Sequence, residues 1–140
     1  GKGIFPASTV FTRDLHSLGQ YVQDGRRNLQ ETFLTVAIDH PDLVVPGGAD
    51  ADGLGYLAGR PLDEINRKAF EGTRTAHIAG GVPCMGIELA RLDAAAVGAA
   101  IYLFEKAVAV RGLLDGVNPF DQPGVETYKK EMFSLLGKPE

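Results

Sequence analysis

The run Thr32-Phe33-Leu34-Thr35-Val36-Ala37-Ile38 restricts the possible folds more than any other part of the chain. It carries no charge and is dense in β-branched and aromatic side chains, which suit a pleated surface and lose rotamer freedom in a helix. Apolar and polar residues do not alternate strictly in it. It therefore reads as a strand buried on both faces, the usual setting of a parallel sheet. A parallel pair needs a long crossover connection, commonly a helix. The chain supplies one: Arg60-Pro61 opens a helix through Ile65, Ala69 and on toward Ala76, Gly80-Gly81 ends it, and residues 82–89 form a second strand.

The remaining segments extend this alternation. Residues 4–11 read as a strand weakened by Pro6. Thr12 is a candidate N-cap with Asp14 in the first turn, and the helix it opens runs to Asp24 and stops at Gly25. Asp93 caps a long helix over residues 94–114, closed by Asp115-Gly116. A last helix follows the corner Asn118-Pro119-Phe120-Asp121-Gln122-Pro123 and ends near Gly137. Strands alternating with helices predict an α/β fold, a parallel sheet between helical layers, in one domain over residues 1–140. Residues 39–53, dense in Pro, Gly and Asp, form a loop.

Composition excludes several classes. Hydrophobic residues make up 44% and charged residues 23%, as in ordinary globular proteins. A net charge of −4 disfavours nucleic acid or an anionic membrane as partner. The small and apolar run from Ala94 to Phe104 is far shorter than the roughly 20 residues that span a bilayer, and Glu105, Lys106 and Arg111 break its continuation. It reads as a buried core or subunit-interface helix. Cys84 is the single cysteine, so no internal disulfide can form, in keeping with a reducing compartment. The start, Gly1-Lys2-Gly3-Ile4-Phe5-Pro6, lacks a methionine and the apolar core of a signal peptide, and reads as a cut within a longer protein.

Two side chains stand out for chemistry. On a helix after Thr12, Leu15, Leu18 and Val22 share one face while His16, Gln20 and Gln23 form a separate polar stripe. His16 would then stand in a first turn, where the positive helix end favours the neutral imidazole suited to acid–base work. An ordinary exposed histidine fits the same pattern. His40 and His77 have no partner signal and read as structural or surface residues. On the last helix, Val125, Tyr128, Met132, Phe133 and Leu136 define an apolar stripe; Lys129 falls inside it and Lys130 opposite, with Glu126 and Thr127. A lysine on such a stripe either lays its stem over apolar neighbours and reaches water or lines a site. Gln122, seven positions earlier, shares its side if the helix includes it.

Other signals are weak. Gly47-Gly48 lacks the strand–glycine–helix context of a phosphate loop. Asp50-Ala51-Asp52-Gly53 has the composition of a calcium loop without its spacing. No Cys/His spacing suits zinc, and no G-x-S-x-G elbow is present.

Several segments together carry a family resemblance. Phe5-Pro6-Ala7-Ser8, Phe11-Thr12, Asp14 through Tyr21, and Ala69-Phe70-Glu71-Gly72-Thr73 resemble glucose-6-phosphate isomerases of the bacterial type. The most specific stretch runs from Gly116 to Glu126, continues with Tyr128-Lys129-Lys130, and is extended by Leu135 to Pro139. Residues 39–52 and Cys84 depart from the pattern. The resemblance implies a three-layer SIS-type (sugar isomerase) α/β domain, of which this chain is the C-terminal part, incomplete at its N-terminus. It implies interconversion of glucose 6-phosphate and fructose 6-phosphate through ring opening and a cis-enediol, without metal or organic cofactor. His16 matches the ring-opening histidine, Lys129 the active-site lysine, and Gln122 a glutamine that helps hold the sugar phosphate. The histidine serves the neighbouring subunit, so a cytoplasmic homodimer is implied. The glutamate that moves the C1–C2 proton, the phosphate loop and an arginine all precede Gly1 in the family, so the chain alone is expected to be inactive. A non-catalytic SIS-type sugar-phosphate-binding regulator is the alternative, since the fold serves both roles.

Overall fold

The computed structural model describes residues 3–37, 43–48 and 50–138. Ile38 and His40, named above, lie outside the described residues. The chain divides into two compact units, Pro6–Ala96 and Gly1–Phe5 with Val97–Glu140.

The first unit is built on the expected strand–helix–strand crossover. Strands β1 (Glu31–Val36) and β2 (Cys84–Leu89) pair in parallel, in register from Glu31 opposite Cys84 to Val36 opposite Leu89. The ladder is extended at both ends: the Glu31 N–H donates to the Pro83 carbonyl at 2.9 Å, and the Ala37 N–H to that of Leu89 at 2.8 Å. Between the strands, helix α2 (Leu62–Ala79) turns Ile65, Ala69, Phe70, Thr73 and His77 inward and leaves Arg67, Lys68, Glu71 and Arg74 exposed. That is the period of a helix with one apolar face. Asp63 and Glu64 occupy its first turn, where the helix end is positive. Pro61 is the N-cap and not the first helical residue, its backbone being extended. Phe70 meets Phe33 of β1 edge to face, with ring centres 5.2 Å apart. At its far end Gly81 takes φ +81°, which lets the Gly81 and Val82 N–H groups close on the carbonyls of Ile78 and His77. The centre of the unit lies at this corner, where Val82 and His77 are buried.

Three expectations for this unit are corrected. Residues 3–10 form no strand. Pro6 has no N–H to give, and Val10 uses both backbone groups locally: its N–H donates to the Asp14 carboxylate at 2.6 Å and its carbonyl accepts the Asp14 N–H at 2.9 Å. The helix after Thr12 is two pieces, a 3₁₀ turn Arg13–His16 and the short helix α1 (Gly19–Asp24), and Thr12 makes no side-chain cap. Gly25 does end α1, with φ −78° and not in the left-handed region. A Cβ there would collide with the Tyr21 carbonyl oxygen and ring, so close approach is what demands glycine. β1 is open on one side, with Thr32 and Leu34 exposed, because α2 packs on the face that carries Phe33 and no described element covers the other.

The acids of the loop before α2 are used as backbone acceptors. Asp50 takes the Gly55 N–H at 2.6 Å and Asp52 that of Leu54 at 3.1 Å. Among the described residues no group of His, Cys, Asp and Glu could hold a metal ion.

Helix α3 (Ala94–Leu114) begins as expected, with the Ala96 N–H on Asp93 Oδ1 at 2.8 Å. It closes at Gly116 by the same pattern as α2, supported by the two bonds Arg111 donates to Asp115 at 2.9 Å. Helix α4 (Pro123–Leu135) closes likewise at Gly137. α3 has no buried residue, and Ile101, Tyr102, Leu103 and Phe104 are about half exposed or more. The expected core or interface helix is therefore uncovered in this chain. A helix apolar on every side needs neighbours on every side, and one further helix cannot supply them. Among the described residues, no helix is long and apolar enough to cross a membrane.

Candidate functional site

His16 is exposed at the last position of the four-residue 3₁₀ turn. So short a turn sums few peptide dipoles, and His16 is at its end, not its start; the dipole argument does not apply. Asp14 organises the turn. Its carboxylate accepts from the Val10 N–H and, at 2.9 Å, from Arg13 Nε, while its carbonyl accepts from Ser17 Oγ at 3.1 Å and the Leu18 N–H at 2.9 Å. The Arg13 guanidinium, followed by the Val10 N–H, holds the Asp14 carboxyl below the usual carboxylate range.

The expected polar stripe of His16, Gln20 and Gln23 is not kept. Gln20 pairs with Asp24 at 2.8 Å, and Gln23 turns to α2, where its amide donates to the Ala76 carbonyl at 3.1 Å. The stripe requires one continuous helix from Thr12, whereas α1 starts at Gly19.

Gln122 and Lys129 belong to the other unit, at the start and middle of α4. Gln122 is the N-cap, with φ −131° and ψ 62°, so it stands outside the helix. Its carbonyl accepts the N–H groups of Val125 and Glu126, its side chain is exposed, and Pro123 occupies the first helical position, where a missing N–H is harmless. Lys129 and Val125, one turn apart, are both half-buried, while Lys130 is exposed. Lys129 Nζ bonds Glu126 Oε1 at 2.7 Å. Lys129 is the less exposed of the two lysines, but the stripe to which spacing assigns it is not buried: Tyr128, Met132, Phe133 and Leu136 are exposed, and the ammonium reaches back to an acid assigned to the opposite side. Chemically, an imidazole can pass a proton to or from a substrate oxygen, and an ammonium can stabilise a developing oxyanion.

One cluster is only partly marked in the sequence pattern. His77, which reads there as structural or surface, is 3% exposed, the sole buried polar residue among those described. Its Nδ1 lies 2.6 Å from Glu31 Oε2, and Cys84 Sγ lies 3.6 Å from the same oxygen. Burial, followed by the Glu31 charge, pushes the Cys84 thiol up and keeps it neutral. Spacing holds part of the signal: Ile65, Ala69, Thr73 and His77 recur every four residues on the inner face of α2. Nothing local marks Glu31 as the partner.

Comparison with known proteins covers nearly the whole chain. A family profile described as phosphoglucose isomerase matches residues 28–138. The glucose-6-phosphate isomerase of Shouchella clausii is 58% identical over 99% of this chain. That of Fusobacterium nucleatum is 59% identical over 98%, and that of Lacticaseibacillus casei 55% over 99%. The chain spans 31% of the length of each of these relatives. In structure it is similar to a hypothetical protein of Thermus thermophilus, with a TM-score of 0.83, 25% identity, and coverage of 90% of this chain and 30% of that one.

Proposed function

The chain belongs to the phosphoglucose isomerase family, and from that premise we propose that it is the C-terminal part of an enzyme interconverting glucose 6-phosphate and fructose 6-phosphate. In this reading the imidazole of His16 carries a proton to and from the ring oxygen as the sugar opens. The Lys129 ammonium stabilises negative charge on a nearby substrate oxygen, and Gln122 holds the sugar phosphate. The glutamate base and the phosphate loop lie outside these residues, so the chain alone does not turn over. The three-layer SIS-type domain, the cytoplasmic homodimer and the sharing of His16 between subunits belong to the same proposal, as does the absence of any metal, nucleic-acid or membrane requirement.

The observation that carries this reading is the identity of 55–59% to the isomerases over nearly the whole chain. The half-burial of Lys129 and the exposure of its neighbour Lys130 support choosing the former. The test is a coupled assay of fructose 6-phosphate conversion. The 140-residue chain is expected to be silent, and the full-length enzyme active. In the full-length enzyme His16→Ala and Lys129→Ala should each lower kcat by about 100-fold or more. Unchanged kcat in both variants would sink the assignment.

A further inference from the structure

Burying the His77–Glu31 pair takes both groups out of water, a cost that their mutual contact must offset. Its geometry shows what the pair fixes. Glu31 opens β1, its N–H is bonded to the Pro83 carbonyl, and it stands in register with Cys84. Its carboxylate is therefore placed by the strand pairing. The Nδ1 of His77 faces that carboxylate at 2.6 Å, a contact that sets the imidazole plane. The His77 carbonyl is held as well, by the Val82 N–H at 2.9 Å.

The ring so fixed meets Phe11 edge to face, with centres 5.9 Å apart and planes at 81°. Phe11 directly precedes the segment that turns at Arg13–His16. The far end of the same segment is tied to the same end of α2, through Gln23 on the Ala76 carbonyl and Arg27 Nη1 on the Gly80 carbonyl at 3.2 Å. Arg27 Nη2 also bonds the Val22 and Gly25 carbonyls, closing α1 onto this anchor. The stretch carrying His16 is thus pinned before and after the histidine to one helix end, and the pin before it is aromatic contact with a ring whose orientation a carboxylate sets.

We infer that His77, oriented by Glu31, is a positioning residue that places His16 for ring opening through its contact with Phe11. The inference rests on the proposed role of His16. A nonpolar side chain at position 77 would fill the same space and leave Phe11 free to shift. Small displacements of a proton-transfer group are costly to rate.

The test uses the full-length enzyme with Phe11→Leu, His77→Asn, the double variant and His16→Ala. Phe11→Leu leaves the His77–Glu31 pair intact, and His77→Asn keeps a donor toward Glu31 while removing the ring. Each is expected to lower kcat on fructose 6-phosphate about tenfold with KM within about twofold. The double variant should match either single one, because both remove the same contact. The decisive readout is 5-deoxyfructose 6-phosphate, which lacks the ring-closing hydroxyl and is already open. Exchange of its C1 proton in D2O, followed by NMR, should stay within about twofold of the parent enzyme. Equal losses on both substrates would show general structural damage and overturn the inference. So would normal kcat in Phe11→Leu and His77→Asn alongside an impaired His16→Ala. Normal kcat in His16→Ala would overturn the proposed role of His16 itself, a separate failure.

Discussion

The two units use the same helix-closing chemistry and reach opposite degrees of burial. In Pro6–Ala96, α2 offers one apolar face, which meets β1 through Phe70 and Phe33 and ends at the buried His77 and Val82. In the unit containing Val97–Glu140, α3 is apolar on nearly every side and buries nothing. The more apolar helix is the less covered one. Burial is therefore set by the area that partners offer and not by the apolarity of the element. A one-faced helix is satisfied by a two-stranded sheet, whereas an all-round apolar helix needs a surround. In the proposed enzyme that cover falls to chain beyond these residues or to a second subunit.

The contrast can be broken most readily at its two extremes. His77→Leu strands the Glu31 carboxylate at 13% exposure and is expected to destabilise by about 3–4 kcal/mol in urea unfolding. A cost below about 1 kcal/mol would show that the polar corner is not the centre of its unit. At the other extreme, Leu103 is 48% exposed in this chain. Leu103→Ala should cost about 2–3 kcal/mol in the complete enzyme and less than about 0.5 kcal/mol in the isolated chain. Equal costs in the two would mean that α3 stays uncovered.

A smaller effect should be the same in both units, because it is local. Gly81 and Gly116 have φ of +81° and +74°. Alanine at either is strained by about 1–2 kcal/mol whatever packs nearby. A clear inequality between Gly81→Ala and Gly116→Ala would show that tertiary contacts alter even these ends.

The smallest effect is at the turn that carries His16. Asp14 has its pKa lowered in the fold by Arg13 and the Val10 N–H. A carboxylate with a depressed folded pKa adds stability above its unfolded pKa, and that stability is lost as pH falls through the lowered folded value. The Val10 amide proton should therefore move upfield in NMR as pH drops below about 4, with its midpoint under that of an ordinary aspartate. Arg13→Ala should raise that midpoint; no change would remove Arg13 as the cause.

Much of the fold is legible from the residues. The β1–α2–β2 crossover, the Asp93 cap, and the glycine ends at Gly81, Gly116 and Gly137 all depend on interactions within a turn or on simple periodicity. The fate of residues 4–11 is not, because Asp14 takes up the Val10 backbone, and a side chain competing for a ladder group leaves no periodic trace. In the candidate site, the choice of Lys129 over Lys130 comes from spacing; Lys129 is the less exposed of the two, but the stripe that spacing draws around it is exposed, because α4 has no neighbour along that face among the described residues. The polar stripe around His16 fails because the helix breaks between His16 and Gly19.

By itself the sequence determined where α2, α3 and α4 end. These ends follow from forces acting over three or four residues, which the order of side chains specifies directly. Only the tertiary structure decided that His77 is the buried histidine and Glu31 its partner, 46 positions away. It also decided that Phe11 rests on that ring and that apolar α3 stands uncovered. Contact and burial are properties of what distant segments bring to one place, and neither composition nor period encodes that meeting.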